Sequence, residues 1–251
     1  MKKKFLVLII TIISFSCKSE EKKQVNLEDK EAIERIELVE LNLSTFKIET
    51  DENLTYSQIK NSVKRNLERL NDTEIDSASK LFENSLLKRI IPRWENTPWS
   101  FEGHTSIPKK GEIACGYFVS TTLRDVGLKL NRYKLAQQSP INEAKSLALN
   151  KKIITIVEED NLKRIQEIHN RLSEGIHFIG FGRGHVGYIF KQGKALYLIH
   201  SNYMGGRRVE IEKIEDSDVF NSFVEIHLVE LSTNKELLNY WRSGRELKIV
   251  Q

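Results

Sequence analysis

Apolar positions recur at helical spacing through the first part of the chain and in short strand-length runs through the last part. Ile59, Val63, Leu67 and Leu70 fall on one helical stripe, with Thr55 or Ser57 as its cap. DTEIDSASKLFENSLLKRI predicts a second helix that starts at Asp72-Thr73, carries Glu74 in its first turn and ends at Pro92. In ACGYFVSTTLRDVG the residues Phe118, Val119, Leu123 and Val126 form another stripe, and Gly127 stands as its stop. NEAKSLALN reads as a short helix, KKIITIVEE as a strand and DNLKRIQEIHNRL as a helix capped by Asp160. Three runs follow, IHFIGF, HVGYIF and ALYLIH, each of strand length, and VEIHLVEL alternates as a fourth. KELLNYWRS is helical again. Helices first and an antiparallel sheet later give an α+β fold.

The start of the chain reads differently. MKKKFLVLIITIISFSC has a basic beginning, an apolar run from Phe5 to Ile13 and small residues at Ser14 and Ser16, the pattern of an export signal over 1–16. The run is too short for a mature membrane span. A small residue before Cys17 resembles the lipobox of bacterial lipoproteins, which implies cleavage before Cys17, lipid on its sulfur and a place in the bacterial cell envelope. Residues 17–32 then form a charged tether, and 33–251 a single domain. Lys2, Lys3 and Lys4 account for three of the 39 basic residues; without them 36 stand against 35 acidic ones. That near-neutral balance gives no support for a nucleic-acid partner.

Export sharpens the question of Cys115, because exported cysteines usually come in pairs. With Cys17 lipidated, Cys115 has no partner and is either a small buried hydrophobe or a reactive thiol. Its place in the first turn of a helix favours an anion and predicts a lowered thiol pKa. Gly116 beside it leaves room for a substrate backbone. HVGYIFKQGKALYLIH adds two imidazoles. A two-residue turn at Gln192-Gly193 sets His185 directly opposite His200, on one face of the hairpin, with Cβ atoms about 4.5–5.5 Å apart. A thiol nucleophile needs an imidazole as proton acceptor, and that imidazole needs a group to fix its tautomer. Cys115, His185 and His200 can fill the three roles.

These residues resemble the NlpC family of papain-like cysteine peptidases. IACGYFV resembles its nucleophile motif, GHVGYIF its histidine strand and LIHS the strand that carries its third polar residue, in the same chain order. The segment TPWSFEGHTSIPKKG resembles the one before the family's cysteine, with Trp99 where a tyrosine usually helps bind the oxyanion. The resemblance spans about residues 90–210 and implies a papain-like core over 91–251. In it a cysteine helix packs on an antiparallel sheet bearing two histidines, and 33–90 form a helical extension. It implies thioacyl chemistry on an amide bond, with bacterial cell-wall peptide as substrate and no cofactor. Tyr117 and Gln138 join Gly116 as candidate substrate contacts.

Two rivals keep the same three residues. A zinc hydrolase would use Cys115, His185 and His200 as ligands, although HExxH and CxxC are missing. A binding module would keep the fold without turnover. Acyl transfer to an amine or a lipid shares the nucleophile. GFGRG lacks the Lys-Ser or Lys-Thr of a phosphate loop, and NYMGGRR reads as a turn. His177 is a further imidazole that could join the site if its strand adjoins the hairpin.

Overall fold

The computed structural model describes residues 51–70 and 75–251; the export signal, Cys17, the tether, residues 33–50 and the expected start at Asp72-Thr73 lie outside the described residues. Helix α1 is Tyr56–Glu68, capped by Thr55, whose hydroxyl accepts from the Gln58 N–H while the Gln58 side chain accepts from the Thr55 N–H. Helix α2, Ile75–Asn84, does not stop at Pro92 as expected. It widens into a π-helical stretch, Ser85–Ile90, and runs on as α3, Ile91–Trp94. Proline cannot donate to the preceding turn and crowds its carbonyl; the wider stretch just before it relieves that conflict.

The cysteine helix α4 is Cys115–Asp125, with Ala114 as its N-cap residue and Gly127 at φ +112° just beyond it. Two short helices follow, α5 (Arg132–Ala136) and α6 (Pro140–Ala148). Helix α7, Asn161–Arg171, is capped by the Asp160 carboxylate, as expected. Helix α8 is Asp218–Asn221, and α9, Lys235–Ser243, covers the whole of KELLNYWRS. Among the described residues no helix is long and apolar enough to cross a membrane.

The strands are β1 (Ile154–Val157), β2 (Gly175–Phe181), β3 (His185–Gln192), β4 (Ala195–Ser201), β5 (Val209–Lys213) and β6 (Glu225–Glu230). They form one antiparallel sheet in the order β1-β6-β2-β3-β4-β5. The fold is thus α+β, with helices around a six-stranded antiparallel sheet.

Period-two alternation gives the sheet two apolar faces. Ile176, Phe178, Val186, Tyr188 and Ile199 face one core together with Phe118 and Val119 of α4. Ile179, Phe181, Ile189, Leu198 and Leu228 face a second, smaller core with Ile168 of α7 and Phe220. The Tyr188 hydroxyl ties β3 to α4, donating to the Val119 carbonyl at 3.0 Å and lying 2.7 Å from Thr122 Oγ1. The loop before α4 is held on the start of β5 and the residues just before it: the Asn96 N–H donates to the Val209 carbonyl, the Val209 N–H to the Thr97 carbonyl, and the Trp99 N–H to the Arg207 carbonyl.

Candidate active site

The turn of the β3–β4 hairpin is Gly193-Lys194, one residue later than Gln192-Gly193, because Gln192 still pairs with Ala195. The register therefore differs from expectation by two residues. His200 stands across from Gly187, and the Tyr188–Ile199 pair fixes that alignment. Two residues is one full pleat, so both histidines keep the same face and meet on a diagonal. Gly187 makes the diagonal possible: a Cβ there would lie 2.8 Å from the Ile199 carbonyl and 2.9 Å from the His200 Cβ. The contact is direct, with His185 Nε2 2.8 Å from His200 Nδ1 and the rings nearly perpendicular, at 86°.

A fourth group extends this line. Glu212 on β5 places Oε1 3.1 Å from His200 Nε2, within ion-pair reach but off the direction of a hydrogen bond. Burial raises the Glu212 carboxyl, yet His200 and Ser217 outweigh it and leave the group below its ordinary pKa. A carboxylate at that end favours a proton on His200 Nε2. His200 Nδ1 then accepts from the His185 Nε2–H, and His185 Nδ1 keeps a free lone pair. That Nδ1 is buried with no hydrogen-bond partner. Sequence reasoning missed Glu212 because RVEIEK followed what read as a plain turn. Its alternation of Val209, Glu210, Ile211 and Glu212 was the available signal for β5.

Cys115 is half-buried at the first position of α4. The N–H of Val186, the residue after His185, favours the thiolate form of its sulfur. Cys115 and His185 line one cavity of about 670 Å³ with Trp99, Tyr117, Glu143 and Tyr203. His185 is walled by Phe181, His200 and Tyr203, with ring centroids 5.7, 5.0 and 5.3 Å away.

The thiol does not have the lowered pKa expected from the helix terminus. Burial pushes it up to about 11, against opposing N–H contacts from Val186, Gly116 and Cys115 itself. A helix N-terminus is worth at most about 2 kcal/mol, under two pKa units, and desolvation here exceeds it. Burial, and then the neighbouring His200, hold His185 well below the ordinary histidine value. At neutral pH the pair rests as thiol and neutral imidazole, not as an ion pair.

The remaining expected residues divide. Trp99 lines the cavity, and its indole N–H is buried without a partner. The Arg207 guanidinium covers one face of the ring at 4.9 Å. Tyr117 and Gln138 also line the cavity; the Gln138 amide donates to the Lys134 carbonyl at 2.9 Å. Gly116 borders the cavity too, but the direction its side chain would take is filled. A Cβ there would lie 2.6 Å from the Ala136 carbonyl, so its small size serves the packing of α5 on α4. His177 lies on the strand beside β3 but pairs with Ile189, far along from His185, and its Nε2 sits 3.0 Å from the Ser173 carbonyl. GFGRG forms the end of β2 and its turn into β3.

Arg132 is a buried residue that the sequence did not flag. It donates to Thr121, Ser106 and the His104 and Thr105 carbonyls, and its guanidinium lies 5.2 Å from the centre of the Tyr117 ring. It fixes the loop before α4 against the helix.

The geometry also bears on a zinc set of Cys115, His185 and His200. His185 and His200 spend facing nitrogens on each other. Among the described residues the group whose ligand atoms lie within 4.8 Å of one another is His200, Glu210 and Glu212, which excludes Cys115 and His185. No known family model matches the chain, and no curated protein is significantly similar to it.

Proposed function

We propose that the protein is a papain-like, NlpC-type cysteine peptidase or amidase that cleaves an amide bond in bacterial cell-wall peptide. One observation carries the reading. A helix-borne thiol shares a cavity with an imidazole whose outer nitrogen is unpaired and whose inner nitrogen is held by a second histidine backed by a carboxylate. The tautomer derived above gives His185 Nδ1 the role of base.

Chemistry starts from the neutral pair. As Cys115 sulfur bonds to the amide carbon, His185 takes the thiol proton. The carbonyl oxygen gains the charge and meets the unpaired Trp99 indole N–H and the Cys115 N–H, which no intrahelical acceptor uses. The C–N bond then breaks while His185 returns the proton to the leaving amine. Water, deprotonated by His185, releases the acyl group from sulfur and regenerates the thiol. His200 and Glu212 hold the imidazole and stabilise its transient positive charge.

The lipid on Cys17 and an envelope location belong to the same proposal; a tethered enzyme would stand beside its polymer. The raised thiol pKa favours a second reading, a binding module without turnover, because the free site lacks a preformed thiolate. Digestion of purified peptidoglycan fragments, followed by mass spectrometry, separates the two. Cleavage is expected with the wild type, absent in Cys115→Ala and about 10²–10⁴-fold slower in His185→Ala. Full turnover in Cys115→Ala, or binding of fragments without any cleavage, would reject the peptidase.

A further inference from the structure

Glu143 lines the same cavity and has no part in the chemistry above. It sits in PINEAKSLA on the buried side of α6 and is only 1% exposed. Its Oε2 has no hydrogen-bond partner. The carboxyl lies close enough to Cys115 for its charge to oppose a thiolate there. An unpaired buried carboxyl costs folding stability where an apolar side chain would pack freely. A ligand that satisfies it would recover that cost on binding.

The other polar groups of the cavity tell which ligand fits. Trp99 Nε1 is an unpaired donor, and Arg183 at the exposed rim supplies more donors. A carbonyl or an anion therefore finds partners elsewhere. The carboxyl groups lining the cavity that can pair with a positive charge are Glu143 and, at the exposed rim, Glu102. The rings of Trp99, Tyr117 and Tyr203 line the same cavity.

We propose that Glu143 receives a primary ammonium group of the substrate, so that the site selects peptides carrying a free amine near the bond attacked. The inference rests on the peptidase reading and narrows it. The amine can be a chain terminus or a lysine-like side chain; in either case the proton that burial keeps on Glu143 in the free site leaves to solvent as the ammonium enters, and an ammonium–carboxylate pair forms in a dry pocket.

Three peptidyl chloromethyl ketones test it on the full-length protein, with modification mapped to Cys115 by mass spectrometry. One is Ala-Ala with a free terminus, one is N-acetyl-Ala-Ala, and one is N-acetyl-Lys-Ala. The wild type should react with one of the two amine-bearing reagents about tenfold or more faster than with N-acetyl-Ala-Ala, as one good charged contact allows. Which of the two wins identifies the source of the amine. In Glu143→Gln the ratio should fall to about one, and a cooperative thermal melt at or above that of the wild type shows that the variant is folded. Equal rates for all three reagents in the wild type, or a preference that survives Glu143→Gln, would overturn the proposal and leave the nucleophile intact. Failure of every reagent to modify Cys115 would overturn it together with the reading on which it rests.

Discussion

At the scale of single residues the cavity runs against solution pKa values, and this fixes how pH should act. Thiol and imidazole are both held neutral, Cys115 with a pKa near 11 and His185 well below 6.5. Iodoacetamide should therefore modify Cys115 slowly at pH 7, with a rate that climbs toward pH 11. An ion pair would give a plateau from acid pH instead. Hydrolysis needs neutral His185, so its rate should hold steady across the ordinary histidine range and fall only at lower pH. Glu143 gives a stability signal of known sign. Burial raises its carboxyl well above 4.5. Below pH 4.5 the group is protonated in both folded and unfolded chains and costs nothing extra. As pH rises past 4.5 the unfolded chain releases the proton and the folded one keeps it, so stability falls until the folded group also ionises. Glu143→Gln should then melt at a higher temperature than wild type at pH 7, with the gap closing below pH 4.5. A gap independent of pH would mean that Glu143 is charged in the fold.

At the scale of elements the hairpin decides whether there is a site at all. His185 and His200 meet because Gly187 leaves the space between them empty. Gly187→Ala should cost about 1–3 kcal/mol by overpacking, and it should separate the two rings. Thermal melting together with NMR of the histidine side-chain nitrogens checks both effects. A variant that melts with the wild type and keeps the His185–His200 hydrogen bond would show that the strand yields without loss.

The same hairpin shows what the sequence disclosed and what it hid. Short apolar runs located β1 to β4 and alternation located β6, and the hairpin pairing put both histidines on one face, since parity survives a two-residue shift. The turn position did not follow, because QG and GK both supply a glycine with φ > 0, and pairing with neighbouring strands chose between them. The caps at Thr55 and Asp160 and the stop at Gly127 were local and therefore readable. Helix continuation through Pro92, the strand at 209–213 and the pairing of Glu212 with His200 depend on contacts remote in sequence. So does the thiol's pKa: the helix terminus is visible in the sequence, and the burial that outweighs it is not.

At the scale of the whole molecule the helices before the motif-bearing region are part of what holds the cysteine helix. Ile59 of α1, Phe82 of α2 and Trp94 of α3 are fully buried in one core with Phe118 and Tyr188. A polar chain crosses the same contact. The Trp94 indole N–H donates to the Tyr56 hydroxyl at 2.8 Å, and that hydroxyl donates to Asp125 Oδ2 at 2.7 Å, at the end of α4. Phe82 meets Trp241 edge-on at 5.2 Å, and the Trp241 indole N–H donates to the Val126 carbonyl at 2.9 Å. Helix α4 is thus fixed at its last turn by α1, α3 and α9, while its first turn holds the thiol in the cavity. Tyr56→Phe should lower stability by about 1–3 kcal/mol, because it leaves the Asp125 carboxylate and the Trp94 N–H without their shared partner. Removing α1 and α2 altogether should do more. A fragment of residues 91–251 would expose the core that Phe82 and Leu86 help to fill, and it should show no cooperative melt and bind ANS. A sharp melt in that fragment, with Cys115 reacting as in the full chain, would make the preceding helices an appendage instead of one wall of the core.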